Sequence, residues 1–206
     1  MRNGLLLGAR IGLALVVGAW LTTVSAASPA VPLSIGTARI TLAGTSNVHA
    51  YTASTTTVKV TRAQLGAAAT AGPEFWTNAL KPGVVEAFEI SIPATTLVSP
   101  KGDIDKNMYK ALKTDKHSDI TFRLVRFEAK ENATRAIGML RIAGVEKEVA
   151  LDITTRRGAS SLTVQGSLDL LTTDYGIEPV KALMGMVKTD PKVKVTFEVV
   201  LGIATT

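Results

Sequence analysis

Apolar and polar residues alternate one for one over much of the chain after Pro32. Val58-Lys59-Val60-Thr61 does so, and so does Phe88-Glu89-Ile90-Ser91-Ile92. Ile120, Phe122 and Leu124 make a third row, and Val149, Leu151 and Ile153 a fourth. Leu162, Val164, Gly166, Leu168 and Leu170 make a fifth, and Val193, Val195, Phe197, Val199 and Leu201 a sixth. A period of two sends one set of side chains to each face, so every row predicts a strand with one buried and one wet face. Thr37–Leu42 and Ala136–Ile142 bring the expected total to about eight strands.

The connections between these rows are short. Gly144 in Ile142-Ala143-Gly144-Val145 can take the positive φ of a tight hairpin. Arg156-Arg157-Gly158-Ala159 and Glu131-Asn132 read as two further corners. Short turns between half-wet strands give an antiparallel meander, because a parallel pair needs a long crossover. Closure would remove the exposed edges, which favours an all-β, antiparallel eight-stranded barrel. A two-sheet sandwich has the same periodicity.

Three segments break the rhythm. From Asp103 to Lys113, the apolar Ile104, Met108, Ala111 and Leu112 fall on one stripe of an amphipathic helix. Asp103 is placed to cap its start, and Lys110 and Lys113 suit its C-terminal end. Gly66–Gly83, with Pro73, Phe75, Trp76 and Pro82, fits neither period. Nor does Thr172–Pro191, with Tyr175, Pro179 and the apolar run Ala182 to Val187. Loops this long usually serve a purpose, and apolar loops are unusual in water. The two read either as lids over a barrel mouth or as plugs that fill a barrel end.

The amino terminus changes where this domain is expected to work. Arg2 and Arg10 precede or enter an apolar run, Ile11 to Val24, and Val24-Ser25-Ala26 follows it with small residues. That order describes a secretory signal peptide over residues 1–26, cleaved after Ala26. The run falls short of the roughly 20 residues of a membrane span, although a retained anchor is the alternative. The chain has no cysteine, so neither a lipid-modified cysteine nor a disulfide can serve it. The expected product is a periplasmic or secreted domain over residues 33–203 that is held together by packing. Loss of the two arginines lowers the formal charge from +6 by two. With so modest a charge and so few aromatics, nucleic-acid binding is not expected.

Candidate chemistry is sparse. His49 and His117 are the only histidines, and no metal-ligand spacing accompanies them. Ser46 and His49 are three apart, but no oxyanion loop or nucleophile elbow goes with them. No catalytic residue, metal or cofactor is therefore expected. His49 reads as a turn anchor or a residue of the barrel mouth, and His117 as a solvated connector. Lys101, Lys106, Lys110, Lys113 and Lys116 are interleaved with Asp103, Asp105, Asp115 and Asp119, the pattern of a mixed solvated face. The sharper reading sets those lysines at the mouth, attracting a pyrophosphate head group or an anionic membrane surface. Asn132-Ala133-Thr134 matches a glycosylation triplet, a pattern common by chance.

Asp105-Lys106-Asn107-Met108-Tyr109-Lys110-Ala111-Leu112-Lys113, followed by Ile120-Thr121-Phe122, resembles the YceI-like domain, the polyisoprenoid-binding protein family. The resemblance continues through Gly138 and Leu140, Ile142 to Val149, and Thr173-Asp174-Tyr175-Gly176-Ile177. Gly44-Thr45-Ser46-Asn47-Val48-His49 resembles an early motif of some members, and the whole runs from about Ser34 to Leu201. Gly66–Gly83 departs from any pattern of the family. The resemblance implies a lipocalin-like barrel that holds a polyprenyl chain for carriage or sequestration, with no chemistry performed on it. Candidate lining residues are Phe88, Ile90, Phe122, Leu140, Leu168, Val195 and Phe197 of the inward rows. Met108, Met139, Met184 and Met186 join them, because thioethers adapt to irregular apolar ligands. Plain core packing is the competing role for each, in a filled barrel acting through its surface. Contact with a membrane surface and pairing of two copies are both left open.

Overall fold

The computed structural model describes residues 33–66, 69, 72–129, 134–182, 184 and 186–203. Ten strands form: β1 (Leu33–Ser46), β2 (Ala50–Thr55), β3 (Lys59–Leu65), β4 (Val85–Pro93), β5 (Asp119–Ala129), β6 (Thr134–Ile142), β7 (Val145–Arg157), β8 (Ser161–Leu171), β9 (Lys181–Ala182) and β10 (Val187–Ile203). All but β9 lie in one ladder of order β2-β1-β10-β8-β7-β6-β5-β4-β3, while β9 pairs with β10. Every neighbouring pair is antiparallel.

The order forces the sheet to curl. β2 and β3 are its two edges, yet only Thr56, Thr57 and Val58 separate them in sequence. A flat sheet would hold those edges about 38 Å apart at the usual strand spacing. The linking residues reach about 15 Å at most. The ladder therefore wraps into a barrel, which rules out two stacked sheets. A bridge between Ser54 and Val98 ties β2 to the chain that follows β4.

The expected count of eight strands is corrected to nine in the ladder, with β9 beside it. The missed strand of that ladder, Ala-Tyr-Thr-Ala-Ser-Thr in β2, has no apolar alternation to read. Its partner β1 supplies the pattern by pairing Ile40 with Thr55 and Thr45 with Ala50. The β6–β7 turn takes positive φ at both Ala143 (50°) and Gly144 (84°), the requirement of a two-residue primed turn. Gly158 N–H donates to the Ser161 carbonyl at the β7–β8 corner. The Glu131-Asn132 corner, the Asn132 triplet and the expected signal peptide lie outside the described residues.

The expected helix is present one residue early, as α2 over Gly102–Leu112. Asp103 does not cap it. The N-cap is Lys101 in an extended conformation, while Asp103 and Asp105 lie in the first turn, where negative charge suits the helix dipole. Asp105 instead accepts a hydrogen bond from the Ser99 N–H at 2.7 Å. The Tyr109 hydroxyl reaches the Thr95 and Leu97 carbonyls at 2.9 and 2.7 Å, fixing the helix on the turn after β4.

The two ends of the barrel are built differently. Within Gly66–Gly83 a short helix, α1 (Phe75–Ala79), buries Phe75, Trp76 and Ala79 against Leu65, Val84, Leu162 and Leu201. Leu33 and Ile203, paired across β1 and β10, pack on the same cluster. This segment is a plug and not a lid. At the other end Ile142, Ala143, Tyr175 and Ile177 form a second cluster with Ala111 and Leu112 of α2. Burial there, with the Asp174 carboxylate beside it, pushes the Tyr175 phenol up to about 12.

Candidate ligand-binding cavity

The inward rows do not fill the barrel. They surround a cavity of about 560 Å³, within the range of ordinary ligand pockets. Part of the reason is steric. An added Cβ at Gly138 would lie 2.3 Å from Phe122 Cζ, and one at Gly166 would lie 2.6 Å from Phe197 Cζ. Each ring thus lies across a neighbouring glycine, back against the wall, and leaves the lumen open. A register shift in β5 between Leu124 and Arg126 does the rest on that side. It leaves two successive residues outward, Val125, 47 % exposed, and Arg126, and so returns Phe127 to the cavity beside Leu124, as a bulge does.

Leu65, Trp76, Ala79 and Leu80 form the floor, contributed by β3 and the plug. The polar lining is gathered at the opposite end, apart from Thr155. Ser46, His49 and Tyr51 come from the β1–β2 hairpin, Asn107 from α2, and Glu178, Thr189 and Asp190 from the Thr172–Pro191 segment and the start of β10. No lysine or arginine among the described residues lines the cavity. Burial, with Asp190 nearby, raises the Tyr51 phenol above its ordinary range.

Phe88, Ile90, Met108, Phe122, Leu140, Leu168, Val195 and Phe197 all line this cavity. Met184 and Met186 do not, and their expected place is corrected: they are 104 % and 70 % exposed. Nor does Met139, which alternates with the inward Leu140 on β6 and so faces the other way. The lysines of the α2 region are absent from the lining and exposed. Residues not among the expected lining, Tyr51, Trp76, Glu178, Thr189 and Asp190, complete the two ends.

His49 lies at the mouth, and its neighbour Ser46 is committed to the turn. Ser46 Oγ donates to the His49 carbonyl at 2.8 Å and accepts from the His49 N–H at 3.1 Å. That hydroxyl holds backbone and is not hydrogen-bonded to the imidazole, so a nucleophile–base pair is not assembled. His117 is more than a solvated connector. Its ring lies against the β6–β7 turn, where an added Cβ at Gly144 would come within 2.5 Å of it. Among the described residues no group of three His, Asp or Glu side chains could hold a metal ion.

A single antiparallel sheet curled around an apolar chamber, floored at one end and polar at the other, is a lipocalin-like barrel. The YceI-like domain model matches residues 33–201, and the chain belongs to that family. Among solved structures, BcnA of Burkholderia cenocepacia is 13 % identical with a TM-score of 0.60, over 82 % of this chain and 96 % of that one. A polyisoprenoid-binding domain from Saccharophagus degradans, implicated in plant cell wall breakdown, is 12 % identical with a TM-score of 0.59, over 84 % and 98 %. A mutant YceI protein of Campylobacter jejuni is 10 % identical with a TM-score of 0.52, over 99 % and 94 %. At these identities the likeness is one of fold. No curated protein matches the sequence.

Proposed function

We propose that this protein, exported and freed of residues 1–26, holds a long apolar chain of the polyisoprenoid class in its barrel for carriage or sequestration. The observation that carries the reading is the chamber itself, about 560 Å³ and walled by the inward apolar rows of seven strands. Each CH₂ moved from water into such a lining gains roughly 0.8 kcal/mol, so a few isoprene units suffice to hold a ligand. A filled barrel acting through its surface would have no use for glycines that let the Phe122 and Phe197 rings lie back against the wall. The name of the Saccharophagus degradans neighbour supports the ligand class.

The mouth narrows the head group. Two carboxylates, Glu178 and Asp190, line it, and no lysine or arginine among the described residues lines it with them. A pyrophosphate there would face like charge, so an uncharged head able to hydrogen-bond with Tyr51 or Asn107 fits better. The roles of Ser46 and His49 in the turn support binding without turnover. Native mass spectrometry of protein taken from its own cell envelope tests the reading. An adduct of polyprenyl mass is expected. Ligand-free protein that afterwards takes up no polyprenyl alcohol would sink it.

A further inference from the structure

Met184, Met186 and Val48, 104 %, 70 % and 63 % exposed, are the three most exposed large apolar side chains of the described residues. They belong to two segments that one side chain fastens together. Asn47 Nδ2 donates to the Met186 carbonyl at 2.8 Å, and Asn47 Oδ1 accepts from the Lys188 N–H at 2.8 Å. The Asn47 N–H donates to the Lys188 carbonyl at 3.1 Å. The β1–β2 turn that bears Val48 is thereby held to the β9–β10 hairpin, and both border the mouth through His49 and Val187.

Behind the methionines, Lys181 and Lys188 face each other across the β9–β10 ladder. Both are exposed, and neither forms an ion pair with a described carboxylate. Like charges set directly opposite weaken a strand pair, and an anionic surface beyond the tip would relieve that repulsion. The spacing suits a bilayer. Lys188, in β10, stands two residues behind Met186, a reach of up to about 7 Å along the chain. Interfacial segments bury their apolar side roughly 5–10 Å into the head-group boundary, while lysines keep their ammonium groups in the polar layer. The tip also lacks the Trp, Tyr and Arg anchors that dominate protein interfaces.

We propose that Val48, Met184 and Met186, backed by Lys181 and Lys188, form a docking tip for bilayers containing anionic lipid. It would bring the mouth against the membrane, so that an apolar chain passes between bilayer and barrel without crossing water. The proposal rests on reading the chamber as a lipid holder, and its test keeps the two apart. The chain from Ala27, which contains every strand, is floated with phosphatidylcholine vesicles with or without phosphatidylglycerol. Uptake of geranylgeraniol from solution is measured in parallel.

The wild type is expected to float with the anionic vesicles. K181Q/K188Q should bind them more weakly by roughly fivefold per lysine at low salt. M184S/M186S should lose at least about tenfold for each methionine, and both variants should keep geranylgeraniol uptake. Wild type that ignores anionic vesicles, or M184S/M186S that binds them unchanged, overturns the docking tip whatever the uptake shows. Docking without any uptake would instead remove the chamber reading and leave the tip standing. Val48→Ser, outside the hairpin, repeats the test with a smaller expected loss should the hairpin variants fail to fold by circular dichroism.

Discussion

The two long segments that interrupt the strand pattern look alike as strings, yet they meet opposite fates. Gly66–Gly83 turns Phe75 and Trp76 inward until they are 1 % and 5 % exposed, while Thr172–Pro191 leaves Met184 and Met186 in the open. The first carries two consecutive aromatics on a helical turn, large enough to stopper a barrel end, and their rings meet edge to face at 4.8 Å. The second spends its buried residues, Tyr175 and Ile177, on the cluster with α2 and carries its methionines beyond it. Hydrophobicity thus says that a loop needs a partner. It does not say whether that partner is the loop's own core or something outside.

Substitutions at the two ends should break this symmetry by different amounts. Phe75→Ala empties the best-buried ring of the plug and should cost about 3–5 kcal/mol, read as a drop in the urea midpoint. A loss under 1 kcal/mol would mean that the plug is not part of the core. Trp76 differs, because its buried Nε1 has no hydrogen-bond partner among the described residues, a state that itself costs about 1–3 kcal/mol. Trp76→Phe should therefore stay within about 1 kcal/mol of wild type, the lost packing offset by removal of the orphaned donor. A large loss in the same melt would show that the indole N–H is satisfied in solution.

The mouth end should respond to alkali. The Tyr175 phenol is raised to about 12 by burial and by Asp174, against roughly 10 in an unfolded chain. A folded value above the unfolded one means a contribution that is complete below pH 10 and is lost as pH climbs towards 12. Tyr175→Phe should flatten stability across that window. An unchanged alkaline slope would remove Tyr175 from the account. Least of all, M184S/M186S should leave the melting midpoint within the effect of about 0.5 kcal/mol expected of surface changes. A marked destabilisation there would show that the methionines pack in solution.

The wall of the barrel was legible in the sequence, while its ends were less so. Period-two rows survive in a strand whose two faces meet different solvents, and every apolar residue named for β4, β5, β7, β8 and β10, glycine aside, lines the cavity. β2 escaped because Ala and Thr dominate it, and its place depends on β1. Phe127 escaped because the register shift in β5 changes parity after Leu124. The polar mouth draws on Tyr51, Asn107, Glu178 and Asp190, far apart in the chain, and no local pattern announces a site assembled only by closure. Met184 and Met186 have the residue type of a lining without its place, since composition carries no direction.

The pairing of Leu33 with Ile203 beside the plug has a consequence for how the molecule can be tethered. The barrel's first and last strands leave together from its floor, on the side away from the mouth. Six residues separate Ala26 from Leu33. Held in a bilayer by an uncut leader, the domain would hang floor-first and turn its opening towards the aqueous compartment. Released, it can roll over and approach the same membrane mouth-first. Cleavage at Ala26 would then set an orientation as well as a freedom, and a fusion partner added at either terminus should leave the opening clear.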